Sequence, residues 1–174
     1  MERLDETLLR ACKNKDTSEA LILTQIGANV NCKGIFETPL LNAVRNGDSE
    51  TVRVLLDAGA KVNDNAFGTT PLIETILFGR ESQLEGNYIK NFLKVNYYEI
   101  LVLLLEKGAI LTKEDDDGKS ALYHIVESGL INDLRGLIRS MSKVNDQEID
   151  EMIDRVRKNG FYSQRVNYSI SFER

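Results

Sequence analysis

The apolar positions of residues 38–63, TPLLNAVRNGDSETVRVLLDAGAKVN, fall into two helical runs separated by a polar break. Leu40, Leu41, Ala43 and Val44 can line one face of a first helix. After Asn46-Gly47-Asp48, Val52, Leu55 and Leu56 recur at i, i+3 and i+4, which predicts an amphipathic second helix. Thr38 and Pro39 suit the first turn, because the hydroxyl can accept from free backbone N–H groups and proline lacks a donor that would be orphaned there. Gly59 suits the far end, where the chain leaves the helix in a left-handed conformation.

The same landmarks recur along the chain. Thr70-Pro71-Leu72 repeats Thr38-Pro39-Leu40 and Gly79 repeats Gly47, both at an offset of 32 residues. Glu106-Lys107-Gly108-Ala109 repeats Asp57-Ala58-Gly59-Ala60. Thr7-Leu8-Leu9 leads to Ile26-Gly27-Ala28-Asn29-Val30-Asn31, the counterpart of Ala58 to Asn63, and Asp117 to Leu122 leads to Gly129. With a period near 33 residues, residues 3–141 resemble the ankyrin repeat. The resemblance implies an all-α solenoid of helical hairpins joined by extended fingers. It divides residues 1–144 into repeats at 3–31, 32–63, 64–110 and 111–141. The histidine of the family's TPLH is replaced by Arg10, Leu41, Ile73 and Tyr123, so its usual hydrogen bond to the turn is expected to be missing. Residues 31–39 and 63–71 are each one residue short of the usual finger, and Phe36 stands where Gly68 and Gly118 mark the turn.

The third repeat is interrupted. Gly59 and Gly108 are 49 residues apart where 32 is usual, which places about 17 extra residues at 80–96. Within them Tyr88, Ile89, Phe92 and Leu93 fall at helical spacing, so the second helix is expected to be extended or preceded by a short one. These side chains either pad the outer surface or form a partner-binding knob; burial of Tyr88, Phe92 and Tyr97 would count against the knob. Asn145-Asp146-Gln147-Glu148 reads as a capping box. Ile149, Met152, Ile153 and Val156 follow on one face, which predicts a capping helix over the last repeat, stopped at Gly160, within a terminal segment at 145–174. Val166, Tyr168, Ile170 and Phe172 alternate with polar residues, the pattern of a short terminal strand or else of a tail packed on the final helix.

An apolar content of 42% with two prolines argues against disorder, and no apolar run approaches the roughly 20 residues that span a bilayer. The first residues, MERLDETLLRAC, lack the pattern of a secretory signal, so a cytoplasmic location is expected. Cys12 and Cys32 are then reduced. Cys12 is expected to be buried in the first helix and Cys32 exposed in a finger. The formal net charge is −5, but residues 155–174 hold five basic residues and one acid, which leaves −9 on residues 1–154. An acidic body disfavours nucleic acid as the ligand and favours a partner with a basic surface.

Ingredients for catalysis are thin, and no cofactor, metal site or membrane association is expected. One histidine cannot make a metal site, and His124 is expected to be an exposed contact residue in the groove. Glu114-Asp115-Asp116-Asp117-Gly118 lacks the alternating oxygen ligands and distant glutamate of a calcium loop. It is either a solvated turn or an acidic prong. By resemblance, partners sit on the finger tips and on the exposed side of the first helices. The fingers offer Lys33, Ile35, Phe36, Asn65, Phe67, Glu114, Asp116 and Asp117; the helices offer Asn42, Arg45, Asn46, Glu74, Leu77, Phe78, His124 and Glu127. These expectations describe a non-catalytic protein-binding module, in a narrower form an inhibitor or immunity protein for a basic toxin or nuclease. The alternative is a self-assembling scaffold joined through its terminal strand, and the oligomeric state expected is a monomer or weak homodimer.

Overall fold

A computed structural model describes residues 4–81 and 95–158. Among them the chain forms α1 (Leu4–Asn14), α2 (Thr17–Gln25), α3 (Pro39–Arg45), α4 (Ser49–Asp57), α5 (Pro71–Glu81), α6 (Val95–Glu106), α7 (Ala121–Glu127), α8 (Ile131–Met141) and α9 (Asp146–Lys158). The first helices α1, α3, α5 and α7 pack side by side in one row, and α2, α4 and α6 pack in a second row behind them. One apolar cluster runs the length of the stack, from Leu8 through Leu40, Leu72 and Leu122 to Val156. No strand and no separate core is needed, because each hairpin buries its apolar side against the next.

Local chemistry sets each hairpin. Thr38 Oγ1 accepts from Leu41 N at 3.1 Å, and Thr70 and Ser120 accept from Ile73 N and Tyr123 N in the same way. Asp16 and Asp48 cap the second helices through Glu19 N and Thr51 N. At the other end Gly59 holds φ +90°, which lets Gly59 N donate to Leu56 O and Ala60 N to Leu55 O at 2.9 Å. The backbone closes in the same way at Gly27-Ala28, Gly47-Asp48, Gly108-Ala109 and Gly129-Leu130, so five of the described helices end in the same double-bonded left-handed turn.

Asparagines join successive repeats. Asn31 donates through Nδ2 to Gly59 O at 3.2 Å and accepts from Lys61 N at 2.8 Å. One repeat later, Asn63 makes the same two bonds, to Gly108 O at 2.8 Å and from Ile110 N at 2.9 Å. Each amide satisfies a helix-end carbonyl that has no partner within its own helix.

Two expectations are corrected. Gly79 does not repeat the turn at Gly47: it is buried inside α5, which continues to Glu81, and in sequence the extra residues fall where the other repeats have their tight turn. Cys32 is buried, with its Sγ 3.6 Å from Asp5 O, because the first finger folds back against the start of α1.

The second helix of this repeat, α6, spans 12 residues against nine in α4. Its first turn grips the α3–α4 turn: Tyr97 is buried with its hydroxyl donating to Arg45 O at 2.8 Å, and Asn96 Nδ2 donates to Gly47 O. Tyr97 is therefore not part of an exposed knob. Tyr88, Ile89, Phe92 and Leu93, Gly160, and the alternating positions from Val166 to Phe172 lie outside the described residues.

The capping box forms as its sequence predicts. Glu148 N donates to Asn145 Oδ1 at 3.0 Å while Asn145 N donates to Glu148 Oε2 at 2.9 Å. The α9 helix that follows buries Ile149 and Val156 completely and packs on α7, the place that the first helix of another repeat would take. Arg135 to Asp150 at 2.7 Å and Arg139 to Asp146 tie it to α8.

Candidate functional site

Three fingers, at 33–37, 64–70 and 114–120, line up along one edge of the stack. Lys33 Nζ lies 3.6 Å from Asp64 Oδ2, the rings of Phe36 and Phe67 meet edge to face at 5.9 Å, and Asp116 N donates to Gly68 O at 3.2 Å. From α9, Arg155 reaches Glu114 and Gly118 O, both at 3.1 Å. Neighbouring tips are thus coupled to one another across the row.

Phe36 and Phe67 share an unusual backbone: both hold φ +59°. A bulky side chain is strained there by about 1–2 kcal/mol, since its Cβ crowds the following carbonyl. Yet Phe36 is 72% exposed and Phe67 41%, with Ile35 beside them at 87%. Solvent gains nothing from these rings, so burial within the chain does not explain them.

Arg45 sets the position of the first tip. Its Nε and Nη2 bond both oxygens of Glu74, at 3.2 and 3.0 Å, while Nη1 donates to Phe36 O at 3.1 Å. The planar guanidinium matches the carboxylate as a fork. Two residues expected at the partner surface, Arg45 and Glu74, are therefore committed to each other, and Glu74 is buried.

Other helix positions are committed as well. Asn42 is buried and donates to Leu9 O at 3.3 Å and Glu37 Oε2 at 3.2 Å; Asn46 donates to Cys12 O and Lys13 O. Leu77 and Phe78 are half-buried against the core. His124 corrects its expectation of exposure: it is 5% exposed, with Nε2 3.6 Å from Asp115 Oδ2 and Nδ1 3.4 Å from Glu127 Oε2. Glu127 also meets Arg80 at 3.4 Å and Lys119 at 3.7 Å, and these contacts close over the imidazole. What remains open is the set of fingertip side chains: Lys33, Ile35, Phe36, Asn65, Phe67, Glu114, Asp116 and Asp117.

The acidic finger is held by its own backbone. Asp115 Oδ1 accepts from Asp117 N at 3.0 Å and Lys119 N at 2.8 Å, so this carboxylate shapes the loop while its neighbours point outward. Among the described residues no group of three or more His, Cys, Asp or Glu could hold a metal ion. In the slots of the missing TPLH histidine, Leu41, Ile73 and Tyr123 are buried, and Arg10 pairs with Glu19 at 3.6 Å. Lys119 and Arg155 lie over the Tyr123 ring at 5.3 and 5.9 Å. Glu37, Asp64 and Arg155 were not anticipated; Arg155 carries no local signal, since its partners lie 37 and 41 residues away in sequence.

Residues 8–85, which take in most of α1, all of α2 to α5 and the Phe36–Phe67 pair, match the family model described as Ankyrin repeats (3 copies). Residues 8–85 are therefore ankyrin repeats. No curated protein matches the chain. Ankyrin repeats generally mediate protein–protein interaction, and the family is typically non-catalytic. Beyond the matched residues, α7 packs on α5 and α9 on α7, in line with α1, α3 and α5. Among the described residues, no helix is long and apolar enough to cross a membrane.

Proposed function

We propose that this chain is a non-catalytic binding module that grips a protein partner with its fingertip row. Ile35, Phe36 and Phe67 are the apolar anchors, and Glu114, Asp116 and Asp117 form an acidic flank. The observation that carries this reading is the pair of exposed phenylalanines held at φ +59°: two strained rings, braced against each other and through Phe36 O by Arg45, present apolar surface outward. Strain concentrated where side chains meet solvent is characteristic of binding sites. Rigid aromatic anchors ringed by polar groups gain most from desolvation. The acidic flank and the −9 carried by residues 1–154 select a partner with a basic surface. In its narrower form the reading makes the chain a cytoplasmic inhibitor or immunity protein that masks the basic site of a toxin or nuclease.

The test compares the tagged chain with its Phe36→Asp/Phe67→Asp variant in capture from native cells, followed by affinity measurement with the purified partner. The variant is expected to keep its far-UV circular dichroism and lose at least about tenfold in affinity, since an anchor of this kind is worth more than about 1 kcal/mol. Added salt weakens the wild-type complex by screening the flank. A partner held equally by both proteins moves binding away from the fingers.

A further inference from the structure

The chain's one histidine, His124, lies buried at the base of the acidic finger. Ser120 and Thr70 open their helices in the same way, so His124 corresponds in register to Glu74 of α5. Both side chains are buried, but their surroundings differ. The Glu74 carboxylate has a full partner in the Arg45 fork. The imidazole has carboxylates on two sides: Nε2 lies 3.6 Å from Asp115 Oδ2 and Nδ1 3.4 Å from Glu127 Oε2. Among the described residues neither nitrogen has a hydrogen-bond partner, although both are shut off from solvent. Three further charged groups surround the pair of carboxylates. Lys119 of the finger and Arg80 of α5 both meet Glu127. Arg155 of α9 lies over Tyr123, the ring that meets the imidazole edge to face at 5.8 Å.

We infer that His124 is a proton-operated latch for the acidic finger at 114–120: the imidazolium ties the finger to α7, and the neutral imidazole releases it. A neutral imidazole carries one N–H and one lone pair. In either tautomer, then, one nitrogen without a hydrogen faces a carboxylate oxygen, and that contact is repulsive. The imidazolium donates from both nitrogens, to Asp115 on one side and Glu127 on the other. Asp115 transmits the change. Its Oδ2 faces the imidazole while its Oδ1 accepts from Asp117 N and Lys119 N, the two bonds that shape the finger. A proton on His124 therefore fixes this carboxylate, and loss of the proton frees it to turn. Histidine is the side chain that ordinarily changes charge between about pH 5 and 8, so the finger that carries Glu114, Asp116 and Asp117 answers to pH in that range.

NMR titration of the whole chain from about pH 5 to 8 tests this. Every readout is on the chain alone, so the result does not depend on whether the fingers bind a partner. The His124 ring Cε1–H signal is expected to titrate with a single midpoint. The amide protection of Asp117 and Lys119, corrected for the pH dependence of unprotected exchange, is expected to rise about tenfold below that midpoint, the effect of one charge-assisted bond. In His124→Gln, which has no charge to change, this protection is expected to stay flat across the range with unchanged circular dichroism. Glu127→Gln is expected to lower the ring midpoint, since it removes a carboxylate and leaves Arg80 and Lys119 beside the imidazole. A ring that keeps one charge across the range overturns the inference, as does finger protection that stays flat while the ring titrates. Protection that still changes in His124→Gln, or a ring midpoint that Glu127→Gln leaves in place, overturns it too. If His124→Gln does not fold, the two wild-type curves decide, and midpoints that differ overturn the inference.

Discussion

Phe36 and Phe67 occupy a backbone region where glycine or asparagine would be more comfortable. The strain is local, and at Phe36 it is barely repaid, because most of the ring is in water and the edge-to-face contact with Phe67 is an exposed one. Phe36→Asn is therefore expected to leave stability unchanged or raise it by up to about 1 kcal/mol in urea unfolding, since asparagine tolerates the left-handed region. The same variant should bind the partner at least about tenfold less tightly. A gain in stability with a loss of binding would separate the strained ring's role from that of a structural residue.

Cys12 and Cys32 make a second residue-scale case. Burial pushes the Cys12 thiol from an ordinary 9.0 up to about 12 and the Cys32 thiol up to about 11. The carboxylate of Asp48 adds to the rise at Cys12, that of Asp5 at Cys32. The folded chain thus holds these protons more tightly than the unfolded chain. Their contribution to stability is complete below pH 9 and is lost as pH rises from 9 toward 11 and 12. Two results are expected: iodoacetamide at pH 8 modifies neither thiol until denaturant is added, and Cys12→Ala/Cys32→Ala shows a shallower fall in urea midpoint above pH 9 than the wild type.

Elements are joined by a small set of repeated devices. A hydroxyl or carboxylate opens a helix, a left-handed glycine closes it, and an asparagine carries the closing carbonyl to the next repeat. In such a stack each element is stabilised mainly by its immediate neighbours. The α9 helix is the last described element of the first row, and Ile149 is, with Val156, one of its two fully buried anchors. Ile149→Ala is expected to cost about 2–4 kcal/mol. Amide exchange should accelerate most in α7, α8 and α9 and least in α1 and α2, because the loss propagates from one end. A uniform acceleration would mean that the whole stack unfolds as one unit.

As a whole molecule the protein is asymmetric across the stack: the fingers project outward while the helix positions behind them are tied into ion pairs. Arg45–Glu74 and Arg80–Glu127 each bridge neighbouring repeats, so the surface behind the fingertips resists deformation and holds the tips in register.

The clean hairpin of residues 38–63, its Thr38 cap, its left-handed closure at Gly59 and the α9 capping box were legible in the order of residues, because each depends on side chains three to six positions apart in one helix or turn. The recurrence of those signals was sufficient to read an ankyrin solenoid, and the candidate fingertip residues followed from it. Which candidates remain open was decided only by tertiary structure. Arg45 and Glu74 are 29 residues apart in sequence, Glu127 and Arg80 are 47 apart, and nothing local announces either pair. His124 and Cys32 became buried for the same reason: the groups that cover them, Asp115 and Asp5 among others, arrive from other segments. Gly79 reads as a turn beside its counterpart Gly47, yet a neighbouring insertion lets the helix run through it. Local periodicity specifies elements because its interactions are short in sequence; exposure depends on which elements meet, and that is settled when the hairpins stack.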